Sequence, residues 1–294
     1  MTKLATTVGR QIAMLRERGM DVGDETKARE YLLDIGYYRL GFYWFPFEET
    51  YPQTTKRTHR FKPTTQLDYA VRLYYFDVDL RNILLRYISR IEVNFRTTLV
   101  YNVSNAFSSD PYWYKNPGVV NESMLQSADY LQTLQTLSRQ PAIRQHARAH
   151  RDRPQPPAWK ALEFMPFGTI IAIYKNLKHP GLQCDIAKRY NCSRPHQFYN
   201  YINTVRKLRN YCAHGRVLFD LHLDQAIGKG PLGDLMSRKT TLGGMCDVTC
   251  FLLRQISQNR AKEMMTELKA AYDRVAIPVV KQVIVDGCRF VFGD

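Results

Sequence analysis

The sequence predicts an all-α protein, and three observations support this prediction. The chain has 294 residues, 45% of them hydrophobic, so it can bury a large core. Residues 64–107 contain no Gly or Pro and space their apolar residues three and four apart, as one face of a helix does. No segment before the extreme C-terminus alternates apolar and polar residues as a half-buried strand would. We expect an N-terminal helical and aromatic segment (1–60) packed on a helical domain (61–294), with one continuous domain as the alternative.

The N-terminal segment predicts two short helices followed by a packed corner. Asp24 is a suitable N-cap for the second helix, which Gly36 would end. Residues 36–47, GYYRLGFYWFPF, are dense in aromatics and include two Gly and one Pro. This composition favours a corner between helices over the alternative, a surface that stacks RNA bases beside Arg39.

The middle of the chain predicts one very long helix, a loop and a second helical stretch. The helix covers 64–107, the loop 108–120, and helical signals resume over 122–153. Glu92 and Arg96 have the i, i+4 spacing of a structural ion pair, for which an active-site role is the alternative. Residues 139–153 carry five Arg against one Asp, which suits either a phosphate-binding face or a solvated helix surface.

Further helices are expected in the second half of the chain, up to an apolar C-terminal segment. The expected helical ranges are 159–163, 169–178, 182–190, 194–214, 240–257 and 259–275. Near the C-terminus, residues 279–285 and 289–292 are rich in β-branched and aromatic residues and predict a small edge strand.

Charge and cysteine usage limit the classes of partner and cofactor. Lys and Arg total 42 against 27 acidic residues, a net charge of +15, which favours polyanionic partners such as nucleic acid. No apolar run reaches the roughly 20 residues of a membrane span, and the first residues are too polar for a signal peptide, so a cytoplasmic protein is expected. The six cysteines form no Cys-x-x-Cys pair, and His146 and His150 lack a third ligand nearby. We therefore expect buried thiols, no metal and no cofactor.

One segment carries the residues for phosphodiester chemistry. A helix that opens near Ser193 and Pro195 and ends at Gly215 would hold Arg209, Asn210 and His214 in its last turns. Asn210 and His214 lie about 40° apart around such a helix, whereas Arg209 lies about 140° from His214 unless the last turn unwinds.

The residues around this turn are all neutral or basic. From 205 to 217 the chain has Arg206, Lys207 and Arg216 in addition to Arg209 and His214, and no acid. His exchanges protons near neutral pH, and the Arg fork matches two phosphate oxygens. Arg206, Lys207 and Arg216 are predicted to bind RNA from their charge alone.

These residues carry a resemblance to a known superfamily. The stretch LRNYCAHGR (208–216) resembles the Arg-(Asn)-x4-6-His signature of HEPN-domain ribonucleases. Other segments of the chain resemble the Abi-like (abortive infection, AbiD/AbiF) branch of that superfamily, and they follow one another in the order found in that branch. These segments are residues 28–47, Tyr75-Phe76-Asp77, Leu80-Arg81, residues 90–93, Trp159, Glu163 and Phe167-Gly168. Met165-Pro166 departs from the less interrupted segment that is usual there.

The resemblance implies a HEPN-type helical bundle with additional terminal helices. It also implies a metal-independent endoribonuclease toxin in antiphage defence, with RNA as substrate and a homodimer in which two Arg-His pairs form a composite site. Arg209 and His214 would be catalytic and Asn210 would orient them, and a small regulatory RNA is a candidate partner. A non-catalytic RNA-binding module is the main alternative, and a purely structural dimerisation domain is a third.

Overall fold

The computed structural model describes residues 4–290, and the regular structure in that range is helical. Apart from the helices it contains only isolated β-bridges, so the all-α prediction is confirmed. The helices, in chain order, are α1 (Val8–Glu17), α2 (Glu25–Tyr31), α3 (Tyr37–Trp44), α4 (Leu67–Ala106), α5 (Glu122–Leu125), α6 (Ala128–Ser138), α7 (Pro141–Ala149), α8 (Ala158–Ala161), α9 (Phe167–Lys175), α10 (Pro180–Arg189), α11 (Pro195–Ala213), α12 (Leu242–Ile256), α13 (Gln258–Asp273) and α14 (Pro278–Cys288).

Helix α4 is the central element of the fold. It runs for 40 residues without interruption, a length of about 60 Å, which confirms the long helix expected from the absence of Gly and Pro. Helices α3, α11, α12 and α13 all pack against it. One hydrophobic core extends from Ile12 to Phe290, and the division of the chain at residue 60 stays a prediction.

The N-terminal helices form where the sequence predicted them, but the aromatic segment does not form a corner. Asp24 caps α2 by accepting hydrogen bonds from the backbone N–H groups of Thr26 (2.8 Å) and Lys27 (3.3 Å). A π-helical turn then ends at Gly36, where φ is +92°. The segment that follows is helix α3 and a 3₁₀ turn, and it buries residues at helical spacing: Leu40, Tyr43, Trp44 and Phe47. The prediction of a corner was wrong because nearly every residue of this segment is apolar, so the helical spacing of the buried positions could not be recognised.

The helical stretch expected over 122–153 is broken into three helices. The side chain of Ser127 caps α6, and Pro141 occupies the first turn of α7. A serine N-cap and a first-turn proline both start a new helix rather than continue an old one. The expected loop over 108–120 is present, with one 3₁₀ turn at Trp113–Lys115.

The C-terminal strand prediction was wrong, because residues 278–288 form α14. Pro278 starts the helix, and its buried positions follow helical spacing at Val280, Ile284, Gly287 and Cys288. Packing on α4 overrides the β propensity of the valines, as tertiary contacts commonly do. Residues 291 and 292 of the predicted strand lie outside the described residues.

Gly287→Ala is expected to lower the free energy of unfolding by about 1–3 kcal/mol, the usual cost of overpacking a core. A Cβ atom at this position would lie 2.6 Å from the backbone oxygen of Phe219. Gly181→Ala, in α10, is the matched control because no atom lies within 4 Å of its added Cβ. The urea midpoints of the two variants and the wild type measure the effect; equal midpoints would show that α14 does not approach residue 219 this closely.

Candidate active site

Helix α11 and the turn that follows it carry the predicted site residues, and both ends of the helix are well defined. At its start, the backbone N–H of Arg194 and the hydroxyl of Ser193 donate to Oε1 of Gln197, at 3.2 and 2.9 Å. The N-cap is thus Arg194, one residue later than the sequence suggested. At its end, Gly215 has φ +63°, a left-handed conformation that favours glycine.

Gly215 closes the helix in a Schellman arrangement. Its N–H donates to the carbonyl of Cys212 (3.1 Å), and the N–H of Arg216 donates to the carbonyl of Tyr211 (3.0 Å). The predicted end of the helix is confirmed, and His214 is the C-cap residue. Its side chain is exposed, so solvent and a ligand can reach the imidazole.

The last turn stays α-helical through Ala213, and this decides how Arg209 and His214 face. Because the turn does not unwind, the two side chains leave α11 about 140° apart, while Asn210 and His214 share a side. The guanidinium of Arg209 instead approaches Asn210, whose Oδ1 accepts from Nη1 at 3.4 Å. Asn210 therefore lies between the two predicted catalytic residues.

An open cavity of about 500 Å³ lies beside this face of α11. The residues that line it come from α4, from the segment before α9, from the first turn of α9 and from α11: Glu92, residues 163–168, Arg206, Arg209 and Asn210. Its size is in the range of ligand-binding clefts. The structure thus brings together three of the six predicted residues, Arg206, Arg209 and Asn210.

The other predicted residues lie outside the cavity lining. His214 is one turn beyond Asn210, and Lys207 is half-buried on α11. Arg216 is exposed, with its Cζ atom 4.6 Å from the centre of the Tyr211 ring. His214 and Arg216 are thus exposed at the end of α11, whereas Lys207 lies about two turns earlier on the helix.

Glu92 and Arg96 form the expected ion pair, and the pair lies at the cavity. Nη2 of Arg96 is 3.1 Å from Oε1 of Glu92 and also donates to the carbonyl of Met165 at 3.2 Å. Nη1 of Arg96 donates to the carbonyl of Glu163 at 2.6 Å. The second oxygen of the Glu92 carboxylate, Oε2, is 3.9 Å from Nε of Arg209. The pair therefore joins α4 to the cavity wall, and Glu92 also lies within ion-pair distance of Arg209.

The chain after His214 is held by a buried carboxylate that the sequence reasoning did not assign to the site. Asp77, on α4, is fully buried. It accepts hydrogen bonds from the backbone N–H groups of Leu218 (3.0 Å) and Phe219 (2.9 Å) and from the hydroxyl of Tyr43 (2.9 Å). It also pairs with the guanidinium of Arg81. Burial raises the pKa of Asp77, whereas Arg81 and the three hydrogen-bond donors lower it.

Two arginines hold the carbonyl groups of the same segment. Nη1 of Arg81 donates to the carbonyl of Arg216 at 3.1 Å, and Nη2 of Arg39 donates to the carbonyl of Gly215 at 2.6 Å. Together with Asp77 they form an anchor for residues 215–219 and so fix the turn that presents His214. The signal in the sequence was an Asp and an Arg at i, i+4 on the apolar face of a long helix, where unpaired charge is rare.

Cys212 lies within the predicted motif but is not a candidate nucleophile. Burial raises the pKa of its thiol to about 12, so the reactive thiolate is scarce at neutral pH. The cysteines are all unpaired, and all are buried except the half-buried Cys184, which confirms the expectation of buried thiols.

In residues 4–290, no three His, Cys, Asp or Glu side chains are grouped so that they could hold a metal ion. No helix of the same range is both long and apolar enough to cross a bilayer.

The fold and the site define an all-helical protein with a solvent-open cavity, lined by two arginines and two glutamates, beside one helix. The chain belongs to the family of Abi-like proteins, whose sequence model matches residues 30–220. Membership of this family suggests a role in abortive infection. The match includes α11, the cavity and the anchor, whereas α12, α13 and α14 lie beyond it. Comparison with curated proteins and with solved structures finds no match.

Proposed function

We propose that this protein is a metal-independent endoribonuclease toxin of the HEPN type that acts in abortive infection. The observation that carries the proposal is the exposed imidazole of His214, held at a rigid helix end beside a cavity lined by Arg206 and Arg209. The cations would attract an RNA phosphate, and the imidazole would exchange the protons that cleavage requires.

In the proposed reaction, the 2′-hydroxyl of RNA loses its proton and attacks the adjacent phosphorus. The bond from phosphorus to the 5′-oxygen breaks, and that oxygen receives a proton, which leaves a 2′,3′-cyclic phosphate and a 5′-hydroxyl. His214 moves the proton, and Arg209 stabilises the charge that develops on the phosphate oxygens. Asn210, which contacts the Arg209 guanidinium, orients it.

A homodimer with a composite site fits this geometry. Arg209 and His214 point from different sides of α11, so one chain presents them in different directions. Two copies related by a two-fold axis would present the pair from opposite sides of one cleft, and the second imidazole would supply the second proton transfer. Lys207 and Arg216, together with Arg206, would hold the flanking phosphates, and a small regulatory RNA is a further candidate ligand of this surface.

A non-catalytic RNA-binding module is the second candidate, and one observation favours it. His214 is the C-cap residue of α11, where a protonated imidazole stabilises the negative end of the helix dipole. In such a module, Arg206, Lys207, Arg209 and Arg216 would bind RNA, and His214 would only stabilise the end of α11.

End-group analysis of RNA separates these two functions. Incubation of single-stranded RNA with the wild-type protein in EDTA is expected to yield fragments with 2′,3′-cyclic phosphate and 5′-hydroxyl ends, because the chemistry uses side chains only. Fragments with 5′-phosphate ends would reject the proposed chemistry. Salt-sensitive RNA binding without any cleavage, at equal affinity in wild type and His214→Ala, would select the binding module.

A further inference from the structure

Two other cavities share wall residues with the candidate cavity. Toward the start of α11 it shares Pro166, Gly168 and Arg206 with a cavity of about 490 Å³. It also shares Glu163 and Phe164 with a cavity of about 480 Å³. The candidate cavity thus adjoins both others through shared wall residues, two of the three being lined by α11 and the third by α7, α8 and residues 163–164. We call the three together the α11 groove.

The first flanking cavity combines an aromatic ring with cations. Nζ of Lys175 lies 5.0 Å from the centre of the Tyr199 ring. Asn203, which also lines this cavity, accepts a hydrogen bond from Nε of Arg206 at 2.9 Å and so fixes that guanidinium. Tyr199, Asn203, Arg206, Asn210 and His214 are three or four residues apart, which places them along one side of α11 over about 22 Å.

The second flanking cavity repeats this combination. Its walls include Trp159, which is 55% exposed, and Phe164, which is 41% exposed. Nζ of Lys160 lies 3.3 Å from Nδ1 of His146, whose Nε2 lies 3.1 Å from the carbonyl oxygen of Gln155. Since an ammonium can only donate, Nδ1 of His146 accepts from Lys160 and Nε2 donates to Gln155, so His146 positions the lysine.

The net charge along the groove is positive. Two of its three acids, Glu92 and Glu163, are within ion-pair distance of Arg96, and the third, Asp129, lies exposed in the first flanking cavity. Within residues 4–290, Lys160, Lys175 and Arg206 have no carboxylate within 4.0 Å. These cations therefore remain available to phosphates.

We propose that the α11 groove binds one continuous single strand of RNA, with unpaired bases stacked on Tyr199 at one end and Trp159 at the other. This inference rests on the proposed function, since it places the scissile phosphate at Arg209 between the two stacking positions. Aromatic faces that alternate with cations along a groove are the common solution for single strands. A duplex keeps its bases stacked on one another and cannot use these rings.

The test measures binding of a labelled single-stranded RNA of roughly 16 nucleotides, the upper end of common site sizes, in EDTA and in the His214→Ala background. Tyr199→Ala and Trp159→Ala are each expected to weaken binding roughly 5- to 150-fold, the loss of one stacked base. Tyr199→Phe, which keeps the ring, retains the affinity. Tyr101→Ala is the matched control, since this tyrosine is 69% exposed and lines none of the three cavities.

A second pair of variants tests the phosphate contacts and replaces Tyr199→Ala if that variant does not fold. Lys175→Gln is expected to reduce the slope of log affinity against log salt by ~0.7, one single-strand phosphate contact. Lys281→Gln is its control, because Nζ of Lys281 lies 4.7 Å from the Tyr272 ring in the same arrangement but outside the groove.

The outcomes separate the groove from the proposed nuclease. Unchanged affinity in either the Tyr199→Ala or the Trp159→Ala protein, or a duplex of the same sequence bound as tightly as the single strand, overturns the groove. If the protein with an intact His214 cleaves RNA while the Tyr199→Ala and Trp159→Ala variants bind RNA normally, the nuclease activity is supported and the proposed groove is rejected. If the protein with an intact His214 does not cleave RNA but both aromatic variants lose affinity, the proposed nuclease activity is rejected and the groove is supported as an RNA-binding site.

Discussion

Replacement of His214 by alanine is expected to slow RNA cleavage by ~10²–10⁴-fold, the usual contribution of a positioned acid or base. The imidazole is exposed at the end of α11, and no protein group in the described range forms a hydrogen bond or ion pair with it. Its removal therefore takes away a proton carrier and leaves the fold intact. Single-turnover cleavage of a labelled single-stranded RNA in EDTA gives the rate constant.

His196→Ala is the matched control for this prediction. His196 is also exposed and lies on the same helix, but it is about 27 Å from His214 along the helix axis. The control is expected to cleave at the wild-type rate. An equal rate in the wild-type and His214→Ala proteins, with both folded, would remove His214 from the reaction.

Asp77→Asn is expected to lower the free energy of unfolding by about 3–5 kcal/mol, because it leaves the buried Arg81 without its counter-charge. The carboxylate receives two backbone N–H groups, one hydroxyl and the guanidinium of Arg81. An amide has one acceptor oxygen and no charge, and cannot satisfy all four donors. Urea unfolding followed by circular dichroism measures the change.

Asp79→Asn is the control, two residues along the same helix. Asp79 pairs with Arg274 at 2.7 Å, but both side chains are largely exposed, and such pairs contribute at most about 1 kcal/mol. A double replacement, Asp77→Leu with Arg81→Met, is expected to destabilise less than Asp77→Asn, since it leaves no unpaired buried charge. Similar urea midpoints for Asp77→Asn and Asp79→Asn would contradict the role assigned to the anchor.

The helices were predictable where Gly and Pro mark their ends and where apolar residues keep helical spacing. Helix α4 follows from a stretch without either residue, and α11 follows from Pro195 and Gly215. Prediction failed at α3 and α14, where aromatic and β-branched residues suggested a corner and a strand. In both cases burial against the rest of the bundle decided the structure, and local propensity is too weak to oppose it.

The site was predictable only in part, for a similar reason. The sequence placed Arg209, Asn210 and His214 on one helix and gave the angle between them, because helix geometry is local. It did not show that Glu92 approaches Arg209, although the two groups are 3.9 Å apart. That contact depends on how α4 packs against α11, and neither segment encodes it alone.

The amino-acid sequence by itself determined the helical class, the ends of the longest helices and the acid-free cluster around His214. The tertiary structure alone decided that the turn after His214 is anchored by Asp77, 141 residues from Leu218, and by Arg39, 176 residues from Gly215. Local periodicity arises from neighbours within a few residues, so it carries no information about which distant groups meet. A buried charge requires a partner, but only the packing of the helices brings that partner to it.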